Sequence, residues 1–475
     1  MNDKYDIVIG LEVHAELKTK SKVFCSCANK YGSEPNTNCC PVCVGLPGAL
    51  PVLNKQAVKS TIKAGLCMGC EINDIAVFER KNYFYPDLSK AYQISQLVKP
   101  ICIGGGVYVG GEKKFIRLNR IHLEEDAGKL THKNEQIGTL IDYNRGGVPL
   151  IEMVSEPDMS NAEEAIEFLN ALRSNLIYAG IADCKMEQGG MRCDVNISIK
   201  KKGATEFGTR TEMKNLNSFK AVARAIEYES NRQIELIENG EKILQETRRW
   251  DDEKGKSFSL RTKETSQDYR YFPDPDLLSV KIERSLVEDI RKTIPLLPKQ
   301  RRDIYVNEYG LSEYDADILI NDKEVSDFYN DCLTIYNEPK KVCNWVTTEL
   351  LKHIQKEDDK VIIPISYENF ANIIKMVDSN QIGQSNAKKL IELCFGTDKT
   401  ALELAKENNM INDINDSEVE EMVKKVIADN PKAVEDYKVN GDKVLTFFLG
   451  QVMRMSKGKA QAGVVRELLI KFLNA

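Results

Sequence analysis

Apolar and polar residues alternate without a break in segment 10–17, near the beginning of the chain. On an extended strand the apolar side chains lie on one face, and Glu12, His14 and Glu16 lie on the other. A strand face that meets only water usually carries a mixture of Thr, Lys, Ser and Glu, but here an imidazole stands between two carboxylates. This set of donors suits a divalent cation, Mg²⁺ or Mn²⁺, and a plain solvated face is the alternative.

Two further segments repeat the pattern. In segment 116–128, Arg120, His122 and Glu124 share one strand face, and Glu125 and Asp126 mark where the strand ends. In segment 192–200 the polar residues that share a face are Asp194, Asn196 and Ser198. Clustered carboxylates repel one another unless a cation neutralises them. The three strands therefore predict one sheet with an acidic, concave face that binds metal.

Helical periodicity alternates with these strands up to about residue 280. Ser160 and Glu163 form a predicted capping box for a helix that ends at Gly180. A second helix is expected from about Ser218 to Asn239. From about residue 283 onward glycine becomes scarce and helical spacing dominates. The pattern predicts an α+β protein, with a mixed or antiparallel sheet in its first part and an all-α region after it.

Length and composition indicate a soluble protein of two or three domains. The chain has 475 residues, of which 29% are charged, and a formal net charge of −6. This acidity argues against bulk nucleic-acid binding but does not exclude a local basic patch. No apolar run reaches membrane-spanning length and the first residues do not form a signal peptide, so we expect a cytoplasmic protein. The sequence contains neither a Walker loop nor a Rossmann fingerprint, so any ATP would have to bind on a sheet face.

Four cysteines predict a structural zinc site. Cys25 and Cys27 form one close pair, Cys40 and Cys43 form another, and about a dozen residues separate the two pairs. The thirteen cysteines of a cytoplasmic chain do not indicate a disulfide framework. We expect the zinc to hold the loop that follows the first strand, whereas the cysteines at positions 67 and 70 are interpreted as buried small residues.

The last part of the chain is locally basic. Segment 438–471 carries seven basic and two acidic residues, a net charge of +5 in an acidic protein. A solvated helix face explains part of this excess, and binding of a phosphate backbone is the other interpretation. The residues that we select as candidate contacts are Lys443, Arg454, Lys457 and Lys459.

Several long motifs, in one order along the chain, resemble the GatB/YqeY family of bacterial tRNA-dependent amidotransferase subunits. The motifs begin at residues 9 (IGLEVH), 80 (RKNYFYPD), 122 (HLEEDAGK), 151 (IEMVSEPD), 192 (RCDVN), 245 (QETR) and 268 (DYRYFP). The resemblance covers essentially the whole chain. It implies a cradle domain of glutamine synthetase/guanido kinase type at residues 1–290, a helical domain at 291–405 and a YqeY-like, tRNA-binding tail at 406–475.

The resemblance also implies a reaction. The side-chain carboxylate of Glu attached to tRNA(Gln), and in many members that of Asp attached to tRNA(Asn), is phosphorylated by ATP and then amidated by ammonia. In the implied heterotrimer, a glutaminase subunit supplies the ammonia through a tunnel, and a small third subunit holds the other two together. The carboxylate needs this activation because oxide is a poor leaving group, which phosphorylation replaces with a good one.

Site residues follow from the same resemblance. The implied magnesium ligands are Glu12, His14, Glu124, Glu125 and Glu152. Of these, His14 and Glu125 are expected to bind the metal directly. Lys81 and Lys90 match residues near the tunnel gate, and with Glu12, His14 and Glu125 they form the expected catalytic set. The candidate nucleotide-binding residues are Arg120 and Arg248, together with Asp194 and Asn196, which are inferred from their shared strand face and not from the resemblance. The zinc ligands of the family match the four cysteines.

Two alternatives stay open. One is a noncatalytic, zinc-stabilised scaffold that presents tRNA to a partner enzyme, which the acidic strand faces disfavour because carboxylates repel RNA. The other is the archaeal relative specific for Glu-tRNA(Gln), which is longer because it carries an inserted domain. A chain of 475 residues favours the bacterial type.

Overall fold

The computed structural model describes residues 4–111, 113–133, 138–262, 268–357, 360–412, 416–440, 442–456, 460 and 462–474. The chain divides into two compact units, Met1–Pro298 and Lys299–Ala475. Strands and helices alternate in the first unit and helices dominate the second, so the predicted α+β class is confirmed. Among the described residues, no helix has both the length and the apolar character needed to cross a membrane.

A large mixed sheet organises the first unit. The strands of this unit are β1 (Tyr5–Glu16), β2 (Glu71–Ile72), β3 (Ile75–Ala76), β4 (Glu79–Asn82), β5 (Tyr92–Ser95), β6 (Cys102–Ile103), β7 (Gly106–Val109), β8 (Lys114–Glu125), β9 (Lys129–His132), β10 (Thr139–Asp142), β11 (Pro149–Ser155), β12 (Met191–Lys201), β13 (Thr211–Leu216), β14 (Glu246–Asp251), β15 (Lys256–Thr262), β16 (Phe272–Pro273) and β17 (Val280–Lys281). The large sheet has the order β15-β14-β13-β12-β1-β11-β8-β6-β2, with β7 also paired to β8. Strands β13 and β14 run parallel, and their neighbours along this order pair antiparallel.

The central strand β1 sets the register of the polar face. His14 lies opposite Glu152 on β11, and Glu12 lies opposite Asp194 on β12. Glu152 in turn lies opposite His122 on β8. Because residues directly opposite one another in a sheet point to the same face, these side chains share one surface. The prediction that three polar strand faces belong to one sheet is confirmed, and β11 lies between two of those strands.

Helices cover the reverse face of the sheet. They are α1 (Lys55–Cys67), α2 (Ala162–Tyr178), α3 (Phe219–Glu238) and α4 (Arg284–Arg291). The apolar residues of β1, such as Leu11 and Val13, are buried in this layer with apolar residues of the first three helices. Burial of these side chains supplies the main stabilisation, because each removes apolar surface from water.

The helix boundaries agree with the sequence except at one cap. Ser218 caps α3, and the helix ends before Gly240. The predicted capping box at Ser160 is wrong by one residue: the Asn161 side chain accepts from the Glu164 backbone N–H at 2.8 Å and begins α2. Asn satisfies an orphan N–H at a helix start as well as Ser does, so the neighbouring residue takes that role.

A short sheet, β16-β4-β5, lies against one end of β8. The Ser95 hydroxyl of β5 donates to Glu124 at 3.0 Å, and the Ile94 backbone N–H donates to Glu125 at 2.9 Å. These bonds place β4, which carries Lys81, beside the polar face of the large sheet. Two further pairs of short strands, β3 with β17 and β9 with β10, complete the first unit.

The described residues of the second unit form helices apart from one hairpin. Its helices are α5 (Pro298–Asn307), α6 (Glu313–Asn321), α7 (Lys323–Ile335), α8 (Pro339–Thr348), α9 (Tyr367–Asp378), α10 (Gln384–Leu393), α11 (Ala401–Glu407), α12 (Asp416–Asp429), α13 (Pro431–Asn440), α14 (Asp442–Met455) and α15 (Ala462–Leu473), and the hairpin strands are β18 (Gln355–Glu357) and β19 (Lys360–Ile362). One apolar core draws its buried residues from the range 305–405 and a separate core from 419–473. Within the described ranges, the all-α prediction therefore missed the short hairpin.

Candidate active site

Two histidines and two glutamates converge on the polar face of the large sheet. The Nε2 atom of His14 lies 3.6 Å from Glu124 Oε1 and 3.4 Å from Glu152 Oε2. The Nε2 atom of His122 lies 3.6 Å from Glu124 and 3.4 Å from Glu152. All four are partly or fully withdrawn from water, and His122 and Glu124 are each 2% exposed. Four ionisable groups are thus held together at the end of three adjacent strands.

These groups stabilise one another's charge. Burial opposes protonation of both imidazoles, yet Glu152 and Glu124 raise the pKa of His14 above its usual value and the pKa of His122 to about 9. Burial also opposes ionisation of Glu152, but the two imidazoles hold the pKa of Glu152 well below its usual range. The carboxylate of Glu152 is therefore ionised and in place at neutral pH, as a metal ligand must be.

The donor set fits a divalent cation. One ligand atom each from His14, Glu124 and Glu152 lie within 4.8 Å of one another. Two carboxylates and one imidazole are suitable ligands for Mn²⁺ and for Mg²⁺. Behind them, the Arg120 Nε atom lies 3.3 Å from His122 Nδ1, and the other ring nitrogen of His122 points toward the carboxylates. Such outer contacts orient the groups that bind a metal.

A second acidic group lies beside the first, and a lysine already pairs with two of its three carboxylates. Ligand atoms of Glu12, Asp194 and Glu212 also lie within 4.8 Å of one another. The Lys214 ammonium forms ion pairs with Asp194 and, at 2.9 Å, with Glu212. The Asn196 amide donates to Glu12 at 3.0 Å. Burial, followed by the carboxylates Glu152 and Glu212, raises the pKa of Glu12.

A cavity of about 720 Å³ opens above both groups. Lys81 lines it, with its Nζ atom 5.0 Å from the centre of the Tyr269 ring. The ammonium is largely buried, yet Glu124 and Glu152 raise the pKa of Lys81 above its usual value, so it stays charged. Arg192 and Arg145 also line the cavity, and both pair with Asp126. The cavity therefore combines an anionic floor with cationic walls.

Glu125 and Lys90 do not join the floor. The carboxylate of Glu125 forms a buried ion pair with Lys90 and accepts the Ile94 backbone N–H. Neither side chain is among the residues that line the cavity. Because successive residues of a strand point to opposite faces, Glu124 faces the cavity and Glu125 cannot do so as well. The structure thus groups Glu124, and not Glu125, with His14 and Glu152.

Arg248 lies on the reverse face of the sheet. Its Nε atom donates to Ser257 at 2.7 Å, and its guanidinium contacts Glu246 and, at 3.5 Å, Glu229 of α3. Glu229 is fully buried and also pairs with Arg232. The structure therefore does not bring Arg248 to the cavity, whereas Asp194 lines it.

A smaller pocket adjoins the cavity and shares Glu12 and Arg210 with it. The pocket has a volume of about 230 Å³. The other residues that line it include Val8, Gly10, Val154, Pro157, Asn196, Ser198 and Phe207. Phe207 is 63% exposed, so its ring is available to a ligand. We call this pocket the Gly10 slot, because the missing side chain at Gly10 leaves the floor of the pocket open.

The four predicted zinc ligands come together in the loop after β1. The Sγ atoms of Cys25, Cys27, Cys40 and Cys43 lie within 4.8 Å of one another. Tetrahedral zinc with bonds of about 2.3 Å to sulfur places sulfur atoms about 3.8 Å apart, so the arrangement fits this metal. The Cys40 backbone N–H donates to Cys43 Sγ at 3.1 Å. Hydrogen bonds from the Cys25 side chain and the Cys40 backbone N–H, together with the nearby charge of Lys22, lower the pKa of Cys43 to about 4, against the effect of burial.

The basic tail is only partly described. Arg454 is exposed near the end of α14. The side chain of Lys443, and Lys457 and Lys459 as a whole, lie outside the described residues. The predicted tRNA contacts therefore stay predictions.

Several residues of the site were not among the expected ligands. His122 shares a strand face with Glu124, so the alternation of β8 already carried a signal for it. Glu212 and Lys214 are two residues apart on β13, so the alternation of that strand also predicts that their side chains share one face. Arg145 lies in a loop, and no periodic pattern predicts where a loop side chain points.

Comparisons with known proteins give a consistent result. Residues 7–288 match the family model described as the GatB/GatE catalytic domain, and residues 327–473 match the model described as the GatB domain. A protein of Caldicellulosiruptor bescii is 50% identical over 475 residues, covering 98% of both chains. One of Thermoanaerobacter pseudethanolicus is 50% identical over 471 residues (98% of both chains), and one of Thermodesulfovibrio yellowstonii is 46% identical over 476 residues (99% of both chains). All three are named as the B subunit of aspartyl/glutamyl-tRNA(Asn/Gln) amidotransferase.

Proposed function

The chain belongs to the GatB/GatE family, and we propose that it phosphorylates and amidates the side-chain carboxylate of Glu on tRNA(Gln), and of Asp on tRNA(Asn), at the expense of ATP. The observation that carries this proposal is the cavity itself. Its floor holds His14, Glu124 and Glu152, and its walls hold Lys81 and Arg192. Phosphoryl transfer needs positioning and charge neutralisation rather than covalent help from the protein, and this lining provides both.

Each group has a role that follows from its position. A divalent cation held by His14, Glu124 and Glu152 would supply charge neutralisation on the phosphates of ATP. The Lys81 ammonium offers a positive charge close to the transferred group, and tyrosine rings lie beside it. Arg192 presents a planar guanidinium suited to the substrate carboxylate, with Asp126 fixing its orientation.

The Gly10 slot is suited to the base of the nucleotide. Its volume of about 230 Å³ is too small for a whole nucleotide and large enough for a purine ring. Phe207 offers a ring face for stacking, and Asn196 and Ser198 offer hydrogen-bonding groups. Arg210 lies where the slot meets the cavity and has no ion pair with any described residue. We therefore place the base in the slot and the phosphates toward the floor cluster, which is His14, Glu124 and Glu152.

Ammonia and tRNA require further partners. The sequence contains no Ser-Ser-Lys amidase signature, so the proposed source of ammonia is a separate glutaminase subunit, held to this chain by a small third subunit. The basic segment 438–471 is the proposed contact with the tRNA backbone. A noncatalytic scaffold is the competing function, but a platform for RNA gains nothing from a buried carboxylate cluster that repels phosphate.

Substitution of Glu152 by Gln tests the proposal. Gln keeps the size of the side chain and removes the charge that the cation and both imidazoles need. In the heterotrimer with the glutaminase and the small third subunit, we expect Glu152→Gln to lower the rate of Glu-tRNA(Gln) amidation by at least about 100-fold and to weaken Mn²⁺ binding measured by electron paramagnetic resonance. Binding of tRNA, measured by filter retention, should be unchanged because the proposed tRNA contact is the basic segment 438–471 and not the cavity floor.

The matched control is Glu163→Gln, which removes one carboxylate from the first turn of α2, away from the cavity lining. This variant should amidate at the normal rate. If Glu152→Gln amidates as fast as the control, or if it loses tRNA binding to the same degree as amidation, the catalytic role of the floor cluster is refuted.

A further inference from the structure

Lys22 is a fully buried cation that the proposed reaction does not use. Its side chain is 0% exposed. Lysine is almost never fully buried without a partner of opposite charge, because removing an ammonium from water is costly. Within the part of the chain that the structure describes, the Lys22 ammonium donates to the Cys43 Sγ atom at 3.5 Å and to the Tyr143 carbonyl oxygen at 3.3 Å, and neither acceptor is a carboxylate.

A zinc–thiolate centre at the four cysteines would provide the missing negative charge. Four thiolates around Zn²⁺ carry a net charge of −2, and half of that charge is cancelled by one ammonium. Cys43, the ligand that Lys22 contacts, is also the most buried of the four cysteines. In a low-dielectric environment the attraction between the Lys22 ammonium and an anionic zinc–thiolate centre is strong, so Lys22 is well placed to stabilise the metal-bound form.

The second contact of Lys22 leads to the active-site cavity. Tyr143 begins a turn in which the Gly147 backbone N–H donates to the Asp126 carbonyl and the Gly147 carbonyl accepts from the Val23 backbone N–H, both at 2.9 Å. The same turn carries Arg145, whose guanidinium donates to the carbonyls of residues 127 and 128 at 3.0 and 2.7 Å. Arg145 and Asp126 line the cavity. A continuous path of contacts thus joins Cys43 to the cavity wall.

We propose that Lys22 is the counter-cation of the zinc centre and that its bond to the Tyr143 carbonyl couples this centre to the turn 143–147, which positions Arg145. The inference rests on the proposed zinc at the four cysteines and is independent of the proposed chemistry. It gives the zinc a function beyond holding its own loop: through Lys22 the metal would support one wall of the cavity. This link acts beside direct bonds between the loop and the turn, from the Asn38 backbone N–H to Asn144 Oδ1 and from the Tyr143 backbone N–H to Asn36 Oδ1, both at 2.8 Å.

The test compares zinc affinity in the full-length chain. Lys22→Met keeps an unbranched side chain that is one heavy atom shorter and removes its charge, and Lys22→Arg keeps the charge. The control is Lys20→Met on the same segment, where the side chain is exposed. Zinc content is measured by mass spectrometry and affinity by competition with a chromogenic chelator. We expect Lys22→Met to bind zinc about 10- to 100-fold more weakly than the wild type, Lys22→Arg to bind more tightly than Lys22→Met, and Lys20→Met to equal the wild type.

Hydrogen exchange, compared between the wild type and Lys22→Met, tests the coupling. The loop also bonds to the turn through Asn36 and Asn38, so the response of the turn to zinc removal should be smaller in Lys22→Met than in the wild type. Backbone amides in 143–148 should exchange faster after zinc is removed by the chelator, whereas those of α3 should not change. A wild type without zinc would refute the zinc site itself. A wild type with one zinc, together with unchanged affinity in Lys22→Met, would refute the role of Lys22 alone. If Lys22→Met does not fold, Lys22→Gln replaces it, and equal exchange of 143–148 with and without zinc, or an equal response in the wild type and the variant, overturns the coupling.

Discussion

At the residue scale, alternate positions of β1 determine what each part of the cavity floor can bind. Val8, Gly10, Glu12 and His14 follow one another on the same strand face. The first two leave room for an apolar ring, and the last two provide an acid and an imidazole. A nucleotide laid along this strand would have its base at one end and its phosphates at the other.

Gly10 gives a direct test of this arrangement. A Cβ atom at Gly10 would lie 3.8 Å from both Pro157 Cα and Ser155 Oγ, which is ordinary contact. Gly10→Ala should therefore be tolerated, whereas the larger side chain of Gly10→Leu should fill the slot. We expect Gly10→Leu to raise the KM for ATP by about tenfold or more, because a stacked and buried base contributes at least about 1.4 kcal/mol.

The measurement is the steady-state ATP dependence of amidation in the proposed heterotrimer, with Gly10→Ala as the matched control. Inhibition by tripolyphosphate, which has no base, should be the same in both variants. If Gly10→Leu leaves the KM for ATP unchanged, the base binds elsewhere. If tripolyphosphate inhibition is lost together with ATP binding, the substitution has disturbed the floor cluster rather than the slot.

The limit of sequence analysis is clear at two adjacent residues. Alternation placed Glu12, His14 and Glu124 on polar strand faces, and the structure brings His14 and Glu124 together. The same alternation excludes Glu125 from that face, but its true partner, Lys90, lies 35 positions earlier in the chain, in the loop before β5. The position of that loop depends on tertiary pairing, which no local pattern encodes.

At the scale of elements, the two faces of the large sheet have different roles: one lines the candidate active site, and the other packs against helices that stabilise the fold. One face carries the cavity, and the other binds α3 through a buried network of polar side chains. Thr211 donates to Glu229 at 2.8 Å and Gln233 donates to the same carboxylate at 2.9 Å. Arg248 completes this network from β14. A motif that resembles part of a binding site in the sequence thus serves to attach a helix to the sheet.

Arg248→Ala should accordingly lower stability without affecting nucleotide binding. The substitution leaves the buried carboxylate of Glu246 without its close partner, and truncating one member of a buried ion pair costs about 3 kcal/mol. Thermal unfolding monitored by circular dichroism should show a lower Tm, whereas the KM for ATP measured below the transition should equal that of the wild type.

The neighbouring residue provides the control for this prediction. Arg249 is exposed on the same strand, so Arg249→Ala should leave Tm unchanged. If Arg248→Ala has normal stability and a raised KM for ATP, the prediction that Arg248 binds the nucleotide would be correct and its structural role would be refuted.

The type of each long element was predictable from the sequence because strands and helices have different hydrophobic periods. The residues at which elements begin and end were harder to predict. Period-2 alternation identified β1, β8 and β12, and helix periodicity with Gly240 identified α3. The cap of α2 was misplaced by one residue, since Ser160 and Asn161 are both good caps and only the backbone conformation distinguishes them. Strands of two residues, such as β2 and β6, are too short to show any period.

At the scale of the whole molecule, the chain combines a sheet domain with helical segments in a second unit. The first unit contains the cavity and the four-cysteine site, and the second contains two separate apolar cores. The division of labour that we propose follows from charge: an acidic floor for metal and nucleotide in one unit, and a basic segment for the tRNA backbone in the other.

The central claim is that this chain activates the carboxylate of the aminoacyl group. The most direct measurement supplies the heterotrimer with Glu-tRNA(Gln), γ-labelled ATP and Mg²⁺, without any nitrogen donor. We predict that label appears on the glutamyl-tRNA or as free phosphate only when charged tRNA is present, and that Glu152→Gln abolishes this transfer. Absence of tRNA-dependent label release, with tRNA binding intact, would contradict the account and favour a scaffold whose ATP site lies in a partner.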